Sequence, residues 1–235
     1  MSMRVRGRRR CVDCGEEWSY YDTGGVACPV CGSIHSVATG DRRLHTDAPV
    51  ELDLDGVRSD VGIRPLREVA ADAEEAALEY VSERGFVDAG ELQPLDDTVV
   101  AASQLRHVAV HLRRSIREPD EAVEAHFLAL LSAPPEDRPE EVPAALYGPY
   151  GLALASVVDR YRGEVIEWLA ERDRPVVPIL ESLRDHVRRI EALDGAVPPG
   201  EADALLGAAR DIGTYLRADD ETALVRAEER LSGMA

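Results

Sequence analysis

Four cysteines in two pairs, Cys11-Val-Asp-Cys14-Gly15 and Cys28-Pro-Val-Cys31-Gly32, constrain this chain more than any other feature, and they are all the cysteine it has. Two thiolates two residues apart reach one metal ion from a tight turn, and a second pair completes a tetrahedron. Here thirteen residues separate the pairs. The glycine after each pair can take the positive φ that closes such a turn. The pattern predicts a closed, structural site for one Zn²⁺ held by Cys11, Cys14, Cys28 and Cys31, with no open position for substrate. Iron is the alternative metal and would make the site a redox centre. Either ion would supply folding energy to a module too small for a core of its own.

Around the cysteines the chain reads as a β-rich ribbon over residues 1–40. Arg4 to Arg10 forms a first strand into the first knuckle. Glu16 to Tyr21 is rich in the aromatics that strands favour, and Asp22-Thr23-Gly24-Gly25 is a turn. Ser33 to Ala38 returns as a third strand. Alternation along the second strand puts Trp18 and Tyr20 on one face. Residues 41–64 carry acids, a proline and two glycines, and read as a linker with one strand at Val50–Leu54.

From Pro65 onward the periodicity is helical. Leu66, Val69, Ala73, Ala76 and Tyr80 step by three and four, and Gly85 ends that helix. Further stripes follow: Leu95 to Ile116; Val123, Phe127 and Leu130; Leu154 to Trp168; Val176 to Ile190; Leu205 to Leu216; and Leu224 to Leu231. Each stripe has a polar opposite face, so each helix is expected to be buried on one side. The fold class that follows is mainly α: a small N-terminal ribbon, then an acidic bundle of about six to eight helices over 65–235.

The formal net charge is −18, and all 27 basic residues are arginine. Residues 1–48 hold seven arginines and six acids, so almost the whole deficit falls on the helical part. A basic face is therefore plausible only on the ribbon. No run approaches the 18 apolar residues of a membrane span, and the arginine-rich start lacks the apolar stretch of a signal peptide, so a cytoplasmic location is expected.

Three resemblances bear on function. The knuckles, with Trp18-Ser19-Tyr20-Tyr21 and Thr23-Gly24 between them, resemble the zinc ribbons of transcription initiation factor B and RNA polymerase subunits. Paired C-x-x-C-Gly units also resemble those of rubredoxin, whose pairs stand further apart. An acid excess without lysine resembles haloarchaeal proteins, and the whole chain is similar to an uncharacterised haloarchaeal zinc-ribbon family. High-G+C coding also favours arginine over lysine. The initiation-factor resemblance covers the first 40 residues and implies a module that recognises nucleic acid or protein. No paired cyclin-like repeats follow it.

Arginine beside exposed aromatics supplies phosphate forks and base stacking. Arg8, Arg9, Arg10, Trp18 and Tyr20 are accordingly the candidate contact residues for a protein or nucleic-acid partner. His107 and His111, spaced i, i+4, read as solvated because no adjacent Glu completes a metalloprotease motif. There is no P-loop, no G-x-S-x-G and no spare cysteine for nucleophilic catalysis. The alternative reading gives the activity to the helices, as an enzyme or small-ligand binder capped by the ribbon. It calls for ribbon aromatics packed on the helices and a polar pocket within the bundle.

Overall fold

The computed structural model describes residues 3–115, 119–169 and 175–234. Three antiparallel strands form the ribbon, β1 (Met3–Cys11), β2 (Glu17–Ser19) and β3 (Ser36–His45), in the order β2-β1-β3. The first strand falls where the sequence places it. The second is shorter than expected, because the Ser19 hydroxyl accepts from the Asp22 N–H and turns the chain into a one-turn helix, α1 (Tyr20–Thr23). Tyr20 therefore leaves the strand alternation that paired it with Trp18. The third strand is longer than expected and carries the sheet through His45, into the segment read as linker.

Past that strand, no strand forms at Val50–Leu54. Leu54 is buried and Val50 and Leu52 lean on the helical core, ahead of a short α2 (Asp55–Ser59). After α3 (Leu66–Glu83) comes a tiny hairpin, β4 (Val87–Asp88) and β5 (Glu91–Leu92), turned by Ala89 and Gly90, both at positive φ. Then follow α4 (Asp97–Arg114), α5 (Glu121–Ser132), α6 (Tyr147–Leu169), α7 (Val176–Ala192), α8 (Pro199–Ala218) and α9 (Glu221–Ser232). Seven helices of twelve residues or more thus make the bundle among the described residues. Ile116, placed by the periodicity at the end of the second stripe, lies outside the described residues.

The stripes predict most of these helices, and three starts carry side-chain caps: Asp96 accepts from the Val99 N–H at 2.9 Å, Asp120 from the Ala122 N–H at 3.1 Å and Asp220 from the Thr222 N–H at 3.0 Å. α4 departs from the one-sided pattern. Every residue from Val99 to Leu105 is buried, because α3, α5 and α6 surround it. Of its two polar members in that run, Ser103 survives burial by donating its hydroxyl to the Ala153 carbonyl at 2.9 Å, and Gln104 bonds Tyr150. Ala70, Ala73 and Ala77 of α3 are fully buried against this central helix, and their small side chains let the two axes come close. Ala73→Leu should therefore overpack the seam, costing about 2 kcal/mol. Thermal unfolding should show this as a midpoint roughly 4–8 °C lower. An unchanged midpoint would mean the seam has spare room.

The ribbon's sheet runs directly onto the bundle. The Thr46 N–H donates to the Val87 carbonyl at 2.9 Å, and the Thr46 hydroxyl donates to Glu164 of α6 at 2.5 Å. The same carboxylate accepts the Phe86 N–H at 2.7 Å. Arg84 bonds Asp47 and reaches Asp96 at 3.2 Å, and Arg43 donates to the Ala89 carbonyl at 3.3 Å.

Candidate metal centre and arginine face

The two knuckles are built alike. Gly15 donates its N–H to the Cys11 carbonyl at 3.2 Å, and Gly32 does the same to Cys28 at 2.9 Å. Both glycines stand at positive φ, 80° and 72°. These turns bring the four sulfurs together. Cys11 Sγ lies 3.6 Å from Cys31 Sγ, Cys14 Sγ lies 3.5 Å from Cys28 Sγ, and all four fall within 4.8 Å of one another. Four thiolates about 2.3 Å from one ion define a tetrahedron with edges of about 3.8 Å, so the cluster fits a single metal ion.

The backbone prepares the sulfurs for it. The Cys14 N–H points at Cys11 Sγ and holds that thiol down at about 7. The Glu16 and Ser33 N–H groups point likewise at Cys14 and Cys31 and lower them, but the neighbouring thiols and burial outweigh this and raise both above the ordinary thiol value. Beneath the site lies a core of three residues, Cys11, Cys28 and Trp18, separate from the core of the bundle. Trp18 is only 9% exposed, and its indole N–H donates to the Gly25 carbonyl at 3.3 Å.

Below the metal site, β1 presents its arginines unevenly. Arg9 stands opposite Trp18 and Ala38, and Arg6 opposite Arg42. Simple alternation would separate Arg6 from Arg9. It does so here: the register shift between Arg6 and Arg8 sets Gly40 and Asp41 of β3 opposite Gly7, so the extra residue is on β3 and alternation along β1 continues. Gly7 is required by a close approach: a Cβ there would lie 1.9 Å from the Tyr21 ring, whose hydroxyl donates to the Val5 carbonyl at 3.1 Å. Residues from both sides of β1 nevertheless border one groove of about 390 Å³, lined by Arg4, Arg6, Arg9, Arg42, Tyr20 and Val26. Arg9 is braced by donating to the Ser36 hydroxyl at 3.0 Å. Among the described residues no carboxylate lies within 4 Å of any of these four arginines, whereas Arg58, Arg64, Arg84, Arg138 and Arg210 of the helical part all have one.

A model of one protein family matches residues 3–231, ribbon and bundle together. The chain belongs to this family of unknown function, DUF7117. No curated protein and no solved structure matches it.

Within this DUF7117 chain the expected contact residues separate into two groups. Arg9 and Tyr20 share the groove. Arg8 and Arg10 alternate away from Arg9 and do not border the groove; Arg10 stands 4.0 Å from Glu17, and Trp18 is buried. Arg4, Arg6 and Arg42 line the groove, although the sequence reading did not select them as contacts. The remaining histidine expectation needs correction. His107 is half-buried rather than freely solvated: its Nδ1 lies 2.9 Å from the Ser103 carbonyl, and burial lowers its pKa.

Tyr20 also borders a second concavity, a polar cleft of about 610 Å³ between the ribbon's stem and the bundle. Its walls include His45, Arg84, Arg160, Glu164 and Glu167. The rings of Tyr20 and Tyr21 both pack on His45, at 6.1 and 4.7 Å. The Ala89 N–H approaches His45 Nδ1 at 3.3 Å. Burial lowers the pKa of Arg160, whose guanidinium lies over the Phe86 ring.

Proposed function

We propose that this DUF7117 protein is a non-catalytic recognition protein. A structural Zn²⁺ ion on Cys11, Cys14, Cys28 and Cys31 holds the ribbon folded. The ribbon's arginine face docks an anionic partner, protein or nucleic acid, of the transcription or RNA machinery. Zinc is supported by the donor set, four thiolates in a closed tetrahedral cluster. The observation that carries docking is the groove itself: four arginines gathered around it with no carboxylate partner among the described residues, in a chain of net charge −18. The lysine-free, acid-rich composition supports a cytoplasmic, high-salt setting such as that of a halophilic archaeon. There only close forked or stacked contacts would hold a partner.

Replacing Arg4, Arg6 and Arg42 together by glutamine should abolish capture of the partner from cross-linked native-salt lysate. Zinc content, at one ion per chain, and helical circular dichroism should not change. Equal recovery by the variant and the parent would sink the docking surface.

The polar cleft and the tyrosines packed at its mouth favour a second reading, in which the bundle binds a small ligand and the ribbon caps it. Gly163 borders the cleft with open space beyond its Cα. On this second reading, mass spectrometry of denatured native protein should find a stoichiometric small molecule that Gly163→Trp loses. Its absence from both proteins would leave docking as the sole reading.

A further inference from the structure

Four features of the arginine face specify the chemistry of what it docks. First, the cations are in register. Arg4 and Arg6 are two residues apart on one strand, about 6.6 Å at the strand rise of roughly 3.3 Å per residue. Arg42 faces Arg6 across the β1–β3 ladder, and Arg9, which alternates to the other side of β1, borders the same groove. A row of guanidinium forks at that repeat suits successive phosphates of an extended strand. Second, the cations are free to fork outward, since no carboxylate among the described residues neutralises them, and Arg4, Arg6 and Arg42 are all exposed.

Third, the row contains an aromatic ring. Tyr20 is half-buried, held edge-on by His45, and lines the groove together with the arginines. A flat ring among phosphate-binding cations is a platform for a base. A duplex keeps its bases stacked inside, so only an unpaired strand can use it. Fourth, the opposing charge of the molecule lies elsewhere. The first 48 residues are close to neutral, with seven arginines against six acids, and the deficit belongs to the helices. At physiological ionic strength charges are felt over only about 8 Å, so a bound strand would sense the face more than the bundle.

From this we propose that the groove lined by Arg4, Arg6, Arg9, Arg42 and Tyr20 binds single-stranded nucleic acid, with phosphates on the arginines and an unstacked base on the tyrosine. This rests on the docking reading above and narrows its partner to one class. Sequence preference should be weak, because stacking and phosphate contacts carry the binding.

The test uses the full-length, zinc-loaded protein and fluorescence anisotropy, over the salt range in which its circular dichroism is native. The probes are labelled oligo-dT, oligo-U, a duplex of the same length, and a polyglutamate peptide. Both single strands should bind, and the duplex and the peptide should bind at least tenfold more weakly. With four phosphate contacts at roughly 0.7 released counterions each, log K should fall against log salt with a slope of about −3. Arg6→Gln should reduce that slope by about 0.7. Tyr20→Ala should weaken single-strand binding about tenfold, while Tyr20→Phe keeps it, since the ring and not the hydroxyl is the platform. Arg8→Gln, outside the groove, should change the affinity little.

Duplex or polyglutamate binding as tight as that of oligo-dT would overturn the proposal. So would indifference to Tyr20→Ala, or no binding of either single strand. If single strands fail while lysate capture of a protein still depends on Arg4, Arg6 and Arg42, the nucleic-acid assignment falls and docking stands. If capture is indifferent to those arginines, the docking reading falls as well.

Discussion

Stripping the metal with a chelator, or replacing Cys28 by serine, should unfold the ribbon and leave the helices standing. The ribbon's own apolar core is Cys11, Trp18 and Cys28, far too little to offset the conformational entropy of some 30 residues. Structural zinc contributes about 10–16 kcal/mol to the folding of comparable small modules, so its loss is decisive there. The bundle has a separate core running from Leu54 to Met234 and makes no use of the sulfurs. Trp18 is the reporter. In a Trp168→Phe background its emission should shift to that of a solvated indole, and amides between Cys11 and Ser36 should lose exchange protection. The helical signal should stay nearly constant. Cooperative loss of the helices on chelation would show that the ribbon is part of the bundle's fold and not a module set upon it.

Phe86→Ala should be the most damaging single truncation at the junction between ribbon and bundle. Phe86 is fully buried, and its ring meets Tyr161 edge-on, with centroids 5.0 Å apart at 88°. The Arg160 guanidinium lies over its face at 5.1 Å, an attraction that offsets part of the cost of burying that charge. Removing the ring leaves a cavity and strips Arg160 of this partner. The expected cost is about 3–5 kcal/mol, with the melting midpoint falling by roughly 6–20 °C. Phe86→Leu should fall between the two, because it restores volume without the π face. A loss below about 1 kcal/mol in urea titration would mean that the site collapses around the gap.

Local chemistry made much of this molecule legible. Cysteine spacing located the metal cluster, because two knuckles determine it without distant help. The three-and-four steps of Leu, Val, Ile and Ala located the long helices, and Asp96 and Asp120 marked two of their starts. What escaped the sequence was set by non-local neighbours. Alternation alone could not show that Arg6 and Arg9, on opposite sides of β1, border one groove. Gly7 in an arginine-rich strand was the available signal of a close approach, here by the Tyr21 ring. Trp18 turned inward because a three-residue core has nothing else to fill it. α4 is buried around its whole girth only because three helices enclose it, which its own periodicity cannot reveal. The Ala89-Gly90 turn between Phe86-Val87 and Leu92 was a readable hairpin signal, passed over beside the stronger helical pattern.

Arginine-directed footprinting tests the central claim most directly. The full-length protein would be treated with phenylglyoxal, alone and in native extract, and each arginine's modification rate read by mass spectrometry. In the free protein Arg4, Arg6 and Arg42 should react quickly, while Arg84 and Arg160, tied into the junction, react slowly. In extract the three groove arginines should become protected and Arg8 should keep its rate. Unchanged rates at Arg4, Arg6 and Arg42, or protection that falls equally on Arg8 and Arg10, would contradict a partner docked on this face.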